Sequence, residues 1–436
     1  MDRGTYIHLI HRYYPFRGGS EYYFQALSER LARDGADVRL VTTDAWDLEY
    51  FWNPKKRRVE IPFERHNGVK IYRTPAHHLP FANLSHRVIR RGMGEFSRVA
   101  LPGQTAVLGK LSRFGPWLPE LPELLTRIAA DADIIHPANI ALETLIRESA
   151  KFARQREIPL VITPKLHLGE RESSAVRRYY TMPHQLELLR QADMVMTQTS
   201  IEADFLVSKG VHEERVRVVG LGIDVEEVTG GDGDRIRQAL GIEGSLVLAL
   251  GAAAYDKGTV HACKAVLKLN QQAGVDPVTL VVAGPIMSDF QRYIDTLTAD
   301  QREYIMVLGY VDEVTRTDLL AACDVLTLAS RTEAFGYVFL EAWANEKPVI
   351  GANAGGIPAV VDHGDDGLLV PFGDVDQLAE SMRMILGDSE LAMKLGRTGK
   401  AKKVVDTDTW YRKVREGYDE LLGVPSTVSG GDRGPA

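Results

Sequence analysis

Short apolar runs alternate with amphipathic helical segments along this 436-residue chain, and the alternation happens twice. That feature limits the fold more than any other. In the first half the runs lie at residues 6–10, 38–41, 69–73, 133–136, 160–163, 194–197 and 216–219. Between the first two, Phe24, Leu27 and Leu31 share one face at helical spacing, and Gly35 closes that helix. The second half restarts with runs at 246–250, 279–283, 305–308, 325–328 and 348–350. Strand, helix, strand in unbroken succession predicts βαβ units with right-handed crossovers, hence two doubly wound α/β domains. No sequence repeat links the halves. The expected domains are residues 1–228 and 229–407, joined by a linker at Val228-Thr-Gly-Gly-Asp-Gly-Asp234, whose three glycines break the pattern. An amphipathic helix follows at about 408–422, and residues 426–436 are expected to be disordered.

Composition excludes several classes. A hydrophobic fraction of 44% and a charged fraction of 25% are ordinary for a globular protein. A net charge of -7 argues against nucleic-acid binding through general basicity. Cys263 and Cys323 both sit in apolar segments and read as buried thiols. No run of 18 apolar residues suggests a membrane span, and Met1-Asp-Arg-Gly lacks the apolar core of a secretory signal. The expected location is cytoplasmic. Residues 80–120 mix basic and aromatic side chains, including His86-Arg-Val-Ile-Arg-Arg91, Phe96, Phe114 and Trp117. Ordinary helical packing and a peripheral membrane or acceptor contact are both open there.

Four stretches carry chemistry. In Ser330-Arg-Thr-Glu-Ala-Phe-Gly-Tyr-Val-Phe-Leu-Glu341, two glutamates flank seven residues at a strand-to-helix junction. Glu333 falls in the loop and Glu341 about one turn into the helix. Gly336 permits a tight turn, and the helix start offers free N–H groups to an anion. Carboxylates accept hydrogen bonds from hydroxyls, so amides plus carboxylates point to a sugar nucleotide. Leu250-Gly-Ala-Ala-Ala-Tyr-Asp-Lys-Gly258 is the first βα loop of the second half, where Lys257 is a compact charge suited to phosphate. Gly18 and Gly19 open the first helix; this is either a plain helix-start turn or a backbone approach to a ligand. The spacing is not the dinucleotide fingerprint. His167, in Thr163-Pro-Lys-Leu-His-Leu-Gly169, follows a buried strand and is either a satisfied polar residue or a ligand contact. The acidic clusters at Asp232 to Asp234 and Asp362 to Asp366 lack calcium-loop spacing and read as turns.

The Glu333 to Glu341-Ala342 pattern resembles the signature of the family-four retaining glycosyltransferases of the GT-B fold. The resemblance extends along most of the chain. It implies two Rossmann-like domains facing a central cleft, with the last helix returning to the first domain. It implies a nucleotide-diphosphate sugar as donor and a glycan, lipid-linked or small-molecule acceptor. Glu333, Lys257 and His167 are then the catalytic candidates. Gly18, Gly19, Phe335, Gly336, Tyr337 and Glu341 are the donor-binding candidates, with Glu341 on the ribose. No metal or other cofactor is expected. Two positions depart from the family: Lys165 stands where many members have a histidine, and Ala252 where an arginine is usual, with Arg331 a candidate replacement. An epimerase or hydrolase of sugar nucleotides, and a non-catalytic nucleotide-sugar binder, remain alternatives on the same architecture.

Overall fold

The computed structural model describes residues 4–16, 18–170, 175–271 and 276–424. The expected disordered tail at 426–436 lies outside these. The chain divides into two compact units. The first comprises residues 1–166, 178–220 and 408–436, the second residues 167–177 and 221–407.

The first unit carries eight strands among the described residues: β1 (Thr5–Leu9), β2 (Asp37–Thr43), β3 (Phe63–His66), β4 (Val69–Thr74), β5 (Ile134–Pro137), β6 (Val161–Ile162), β7 (Met194–Thr197) and β8 (Val216–Val218). Five pair in the order β3-β4-β2-β1-β5 and three as β6-β7-β8. Parallel bridges Ile135↔Leu160 and Ala138↔Thr163 join the two sets. Only β3 runs antiparallel, at the edge. It lies between the apolar runs at 38–41 and 69–73, and Phe63-Glu-Arg-His66 gives no strand signal because it has no apolar alternation. The helix Gly19–Arg33 buries Phe24, Leu27 and Leu31 as its spacing predicts.

The register Tyr6↔Ile134 sets His8 opposite His136 on one face of the β1–β5 pair. The helix Thr407–Leu422 delivers the Tyr418 hydroxyl to both rings, at 3.2 Å from His8 Nε2 and 2.5 Å from His136 Nδ1. Ser28 and Thr163 complete the set at 2.7 and 2.8 Å. All five side chains are buried, so the network is satisfied internally. Burial pulls the His8 pKa down to about 3 and that of His136 well below its ordinary value, leaving both rings neutral.

The second unit is a single parallel sheet in the order β11-β10-β9-β12-β13-β14. Its strands are β9 (Ser245–Leu250), β10 (Val278–Ala283), β11 (Ile305–Gly309), β12 (Val325–Leu328), β13 (Val349–Ala352) and β14 (Leu368–Val370). This is the doubly wound order, and the winding reverses between β9 and β12. Ligands of such sheets bind at that reversal, beyond the strands' carboxyl ends. Cys263 and Cys323 are buried thiols of this unit.

The division between units falls after Gly220. The 228–234 stretch, expected to be a linker, is built into the second unit. Asp232 caps the helix Gly233–Leu240, and its N–H is held by Asp318 at 2.7 Å. A Cβ at Gly231 would stand 2.2 Å from the Thr317 carbonyl oxygen. Gly231 and Gly233 serve close approach, and Gly230 supplies a left-handed φ of 78°.

Candidate functional site

The loops that leave β9 and β12 meet at the reversal point. Lys257, after β9, donates through Nζ to Glu333 Oε2 at 2.7 Å and to the Thr332 carbonyl at 2.8 Å. Glu333 lies in the loop after β12. Both side chains keep partial exposure, 25% and 19%, so the pair borders solvent. An ammonium has three donors, and these bonds use two.

Neighbouring backbone fixes the loop that carries Glu333. Arg331 N–H donates to the Asp256 carbonyl at 3.0 Å, and Gly356 N–H donates to the Glu333 carbonyl at 2.9 Å. A Cβ at Gly356 would fall 1.8 Å from the Ala334 carbonyl oxygen, so only glycine permits the contact. Gly336 ends the loop with φ 97° and caps the helix Tyr337–Ala344. The first N–H groups of that helix have no intrahelical acceptor, as at any helix start.

Glu341 sits within this helix and is 7% exposed. One of its oxygens pairs with Arg316 of the helix Glu313–Ala322. The other, Oε2, is buried without a hydrogen-bond partner. A buried carboxylate oxygen with no donor is costly, and its natural complement is a hydroxyl or amide from a ligand.

Seven of the sequence-predicted residues therefore fall in the second unit: Lys257, Glu333, Phe335, Gly336, Tyr337, Glu341 and His167. His167, half-buried, enters with the segment 167–177, whose Gly169 carbonyl accepts from Gly355 N–H at 2.8 Å. Gly18 and Gly19 belong to the first unit and start its helix Gly19–Arg33. A Cβ on Gly18 would stand 2.7 Å from Glu21 Oε2. Burial works against the charge on Glu21, but Arg12 and His11 beside it prevail and bring its carboxyl down to about 2.

Arg331 does not supply a free cation in place of Ala252. Its guanidinium is matched by Asp256 at 2.7 Å and Glu170 at 3.3 Å, and it stacks 4.8 Å from the Phe372 ring centre. Arg316 is the residue that sequence reasoning missed. It announces itself only as a helical neighbour of Glu313, 3.1 Å away, while its second partner lies on another helix. Asp362, Asp365 and Asp366 gather carboxylate oxygens within 4.8 Å of one another. Lys402 and Lys403 pair with Asp365 and Asp362 at 2.5 and 2.8 Å, which ties this turn to the helix Ser389–Lys403.

The fold defines the class. Over 96% of its length the chain superposes on HepE from Anabaena, solved in complex with UDP and glucose, with a TM-score of 0.69, 19% identity and all of that chain covered. Sucrose-phosphate synthase from Thermosynechococcus elongatus gives a TM-score of 0.71 at 19% identity, covering 97% of this chain and 100% of that one. Both are GT-B structures.

Sequence comparison identifies the two domains. A family model described as glycosyl transferases group 1 matches residues 232–402, and one described as a glycosyl transferase 4-like domain matches residues 18–222. Residues 232–402 thus carry the group 1 glycosyl transferase domain, and residues 18–222 the 4-like domain. It is 30% identical over 271 residues to D-inositol 3-phosphate glycosyltransferase of Saccharomonospora viridis, which is 57% of this chain and 59% of that protein. It is 37% identical over 148 residues to N-acetyl-alpha-D-glucosaminyl L-malate synthase of Bacillus anthracis, 34% of this chain and 37% of that protein. The chain thus spans well under two thirds of the length of either relative.

Proposed function

We propose that the protein is a retaining glycosyltransferase that moves a sugar from a nucleotide-diphosphate donor to a glycan, lipid-linked or small-molecule acceptor. One observation carries the donor half of this reading: Lys257 and Glu333 pair where the winding of the second sheet reverses, and the helix that starts just beyond that loop carries the unpartnered Glu341 oxygen. In this reading Glu341 accepts from the ribose hydroxyls. Lys257 and the amides at Phe335, Gly336 and Tyr337 stabilise the charge that grows on the diphosphate. Glu333 and His167 contact the transferred sugar, and Gly18 and Gly19 present backbone N–H groups to the donor.

The acceptor oxygen forms its bond to the anomeric carbon on the face from which the phosphate oxygen departs. The leaving oxygen takes the acceptor proton, so the step requires no protein base, and Lys257 with the helix amides offsets the charge. The enzyme acts in the cytoplasm.

Calorimetric titration of UDP, GDP and ADP tests the donor site, with UDP first because HepE was solved with it. One nucleotide should bind, and Glu341→Ala should weaken it about ten- to a hundredfold, the loss of roughly 1.5–3 kcal/mol from a charged hydrogen bond. Equal affinity in the two proteins would remove Glu341 from the ribose site and with it the main support for the reading.

A further inference from the structure

The helix Ala82–Phe96 of the first unit has two apolar faces, and among the described residues only one is buried. Inward, Ile89, Met93 and Phe96 pack with Leu108, Leu111, Met182 and Tyr179. Arg90 anchors the same side, donating to both oxygens of the buried Glu143 at 2.7 and 2.8 Å. These contacts fix the helix's rotation. A second face presents Phe81, Leu84 and Val88 at 85%, 56% and 62% exposure. Their spacing of three and four residues forms one line along the helix. Phe81 sits in the left-handed region, φ 54°, an uncommon conformation for an aromatic residue and one that holds its ring at the helix start.

Charge accompanies the line. Residues 81–113 hold six arginines and lysines against the single Glu95, in a chain of net charge -7. Arg87 and Arg91 are exposed and flank Leu84 and Val88. Farther along, Val99, Leu101 and Val107 are also exposed. Phe81, Leu84 and Val88 are half or more exposed along one line of the helix, which suits insertion into a soft medium. The arginines beside them select a negative one.

We infer that this face rests on an anionic lipid bilayer. Phe81, Leu84 and Val88 enter the boundary between headgroups and acyl chains, and Arg87 and Arg91 pair with lipid phosphates. This inference stands independently of the sugar-transfer reading.

Flotation of the full chain with phosphatidylcholine vesicles, with and without phosphatidylglycerol, tests it. The wild type should float only with the anionic vesicles, and less as salt rises. Leu84→Ser/Val88→Ser and Arg87→Glu/Arg91→Glu should each partition about thirtyfold less or weaker still; for the charge pair this follows from about fivefold per cation. All four positions are surface residues, so the melting temperature and nucleotide affinity should match wild type, which separates a lost surface from a lost fold. No flotation by the wild type, equal flotation with neutral vesicles, or full partitioning by either variant would overturn the proposal. Nucleotide binding reports on the donor site separately, so the two readings fail by different experiments.

Discussion

The two oxygens of the Glu341 carboxylate have different surroundings. Arg316 holds one oxygen and leaves the other turned inward with no donor. If that division sets the ribose contact, Arg316 positions Glu341 without touching nucleotide. The expected outcome is specific: Arg316→Ala should reduce the preference for a nucleotide over its 2′-deoxy analogue by about threefold to tenfold, the worth of one hydrogen bond. Affinity for the deoxy analogue should change little. A loss equal for both nucleotides would mark Arg316 as merely structural. The position of Glu333 and Glu341 at a strand-to-helix junction was legible in sequence. The Arg316 contact was not, since two helices must pack before it exists. Nor was the Lys257–Glu333 pair, made by loops 76 positions apart. The neutralisation of Arg331 by Asp256 and Glu170 was hidden for the same reason.

At the scale of elements, the strands were legible almost throughout because buried parallel strands are continuous apolar runs. The edge strand Phe63–His66 escaped notice because exposure removes that signal. The 228–234 stretch misled for a related reason. Glycine marks both flexible chain and tight contact, and only the Thr317 and Ala322 backbones alongside Gly231 and Gly233 decide between them. The helix Thr407–Leu422 reveals its apolar face in sequence, but not that one tyrosine on it serves two histidines. Removing that hydroxyl in Tyr418→Phe leaves the His8 and His136 ring nitrogens buried without it. The cost should be about 1–3 kcal/mol, read as a lower urea midpoint of unfolding. An unchanged midpoint would show that the network adds nothing to stability.

For the whole molecule, those histidines set an acid limit. His8 titrates at about 3 in the folded chain against 6.5 when free, and burial lowers His136 as well. Below pH 6.5 the unfolded chain therefore takes up protons that the folded chain refuses. Stability should be level above pH 6.5 as far as these groups act, and should fall as pH drops from 6.5 towards 3. The slope is about 1.4 kcal/mol per pH unit for each histidine. Thermal melts of wild type and His8→Gln across this range measure it, and parallel curves would exclude His8 as a contributor. Two α/β units could be read from the alternation of apolar runs. The assignment of residues 167–177 to the second unit could not, because it depends on contacts such as Gly169 with Gly355.

Tyr418 also imposes an order on biogenesis. The first unit is begun by the opening residues of the chain but receives its last helix only after residue 407. Until that helix is made, His8 and His136 lack the Tyr418 hydroxyl that joins them in the folded chain. The second unit, complete by residue 407, has every strand in hand while its elder neighbour still waits. The half of the protein synthesised first is thus the half finished last.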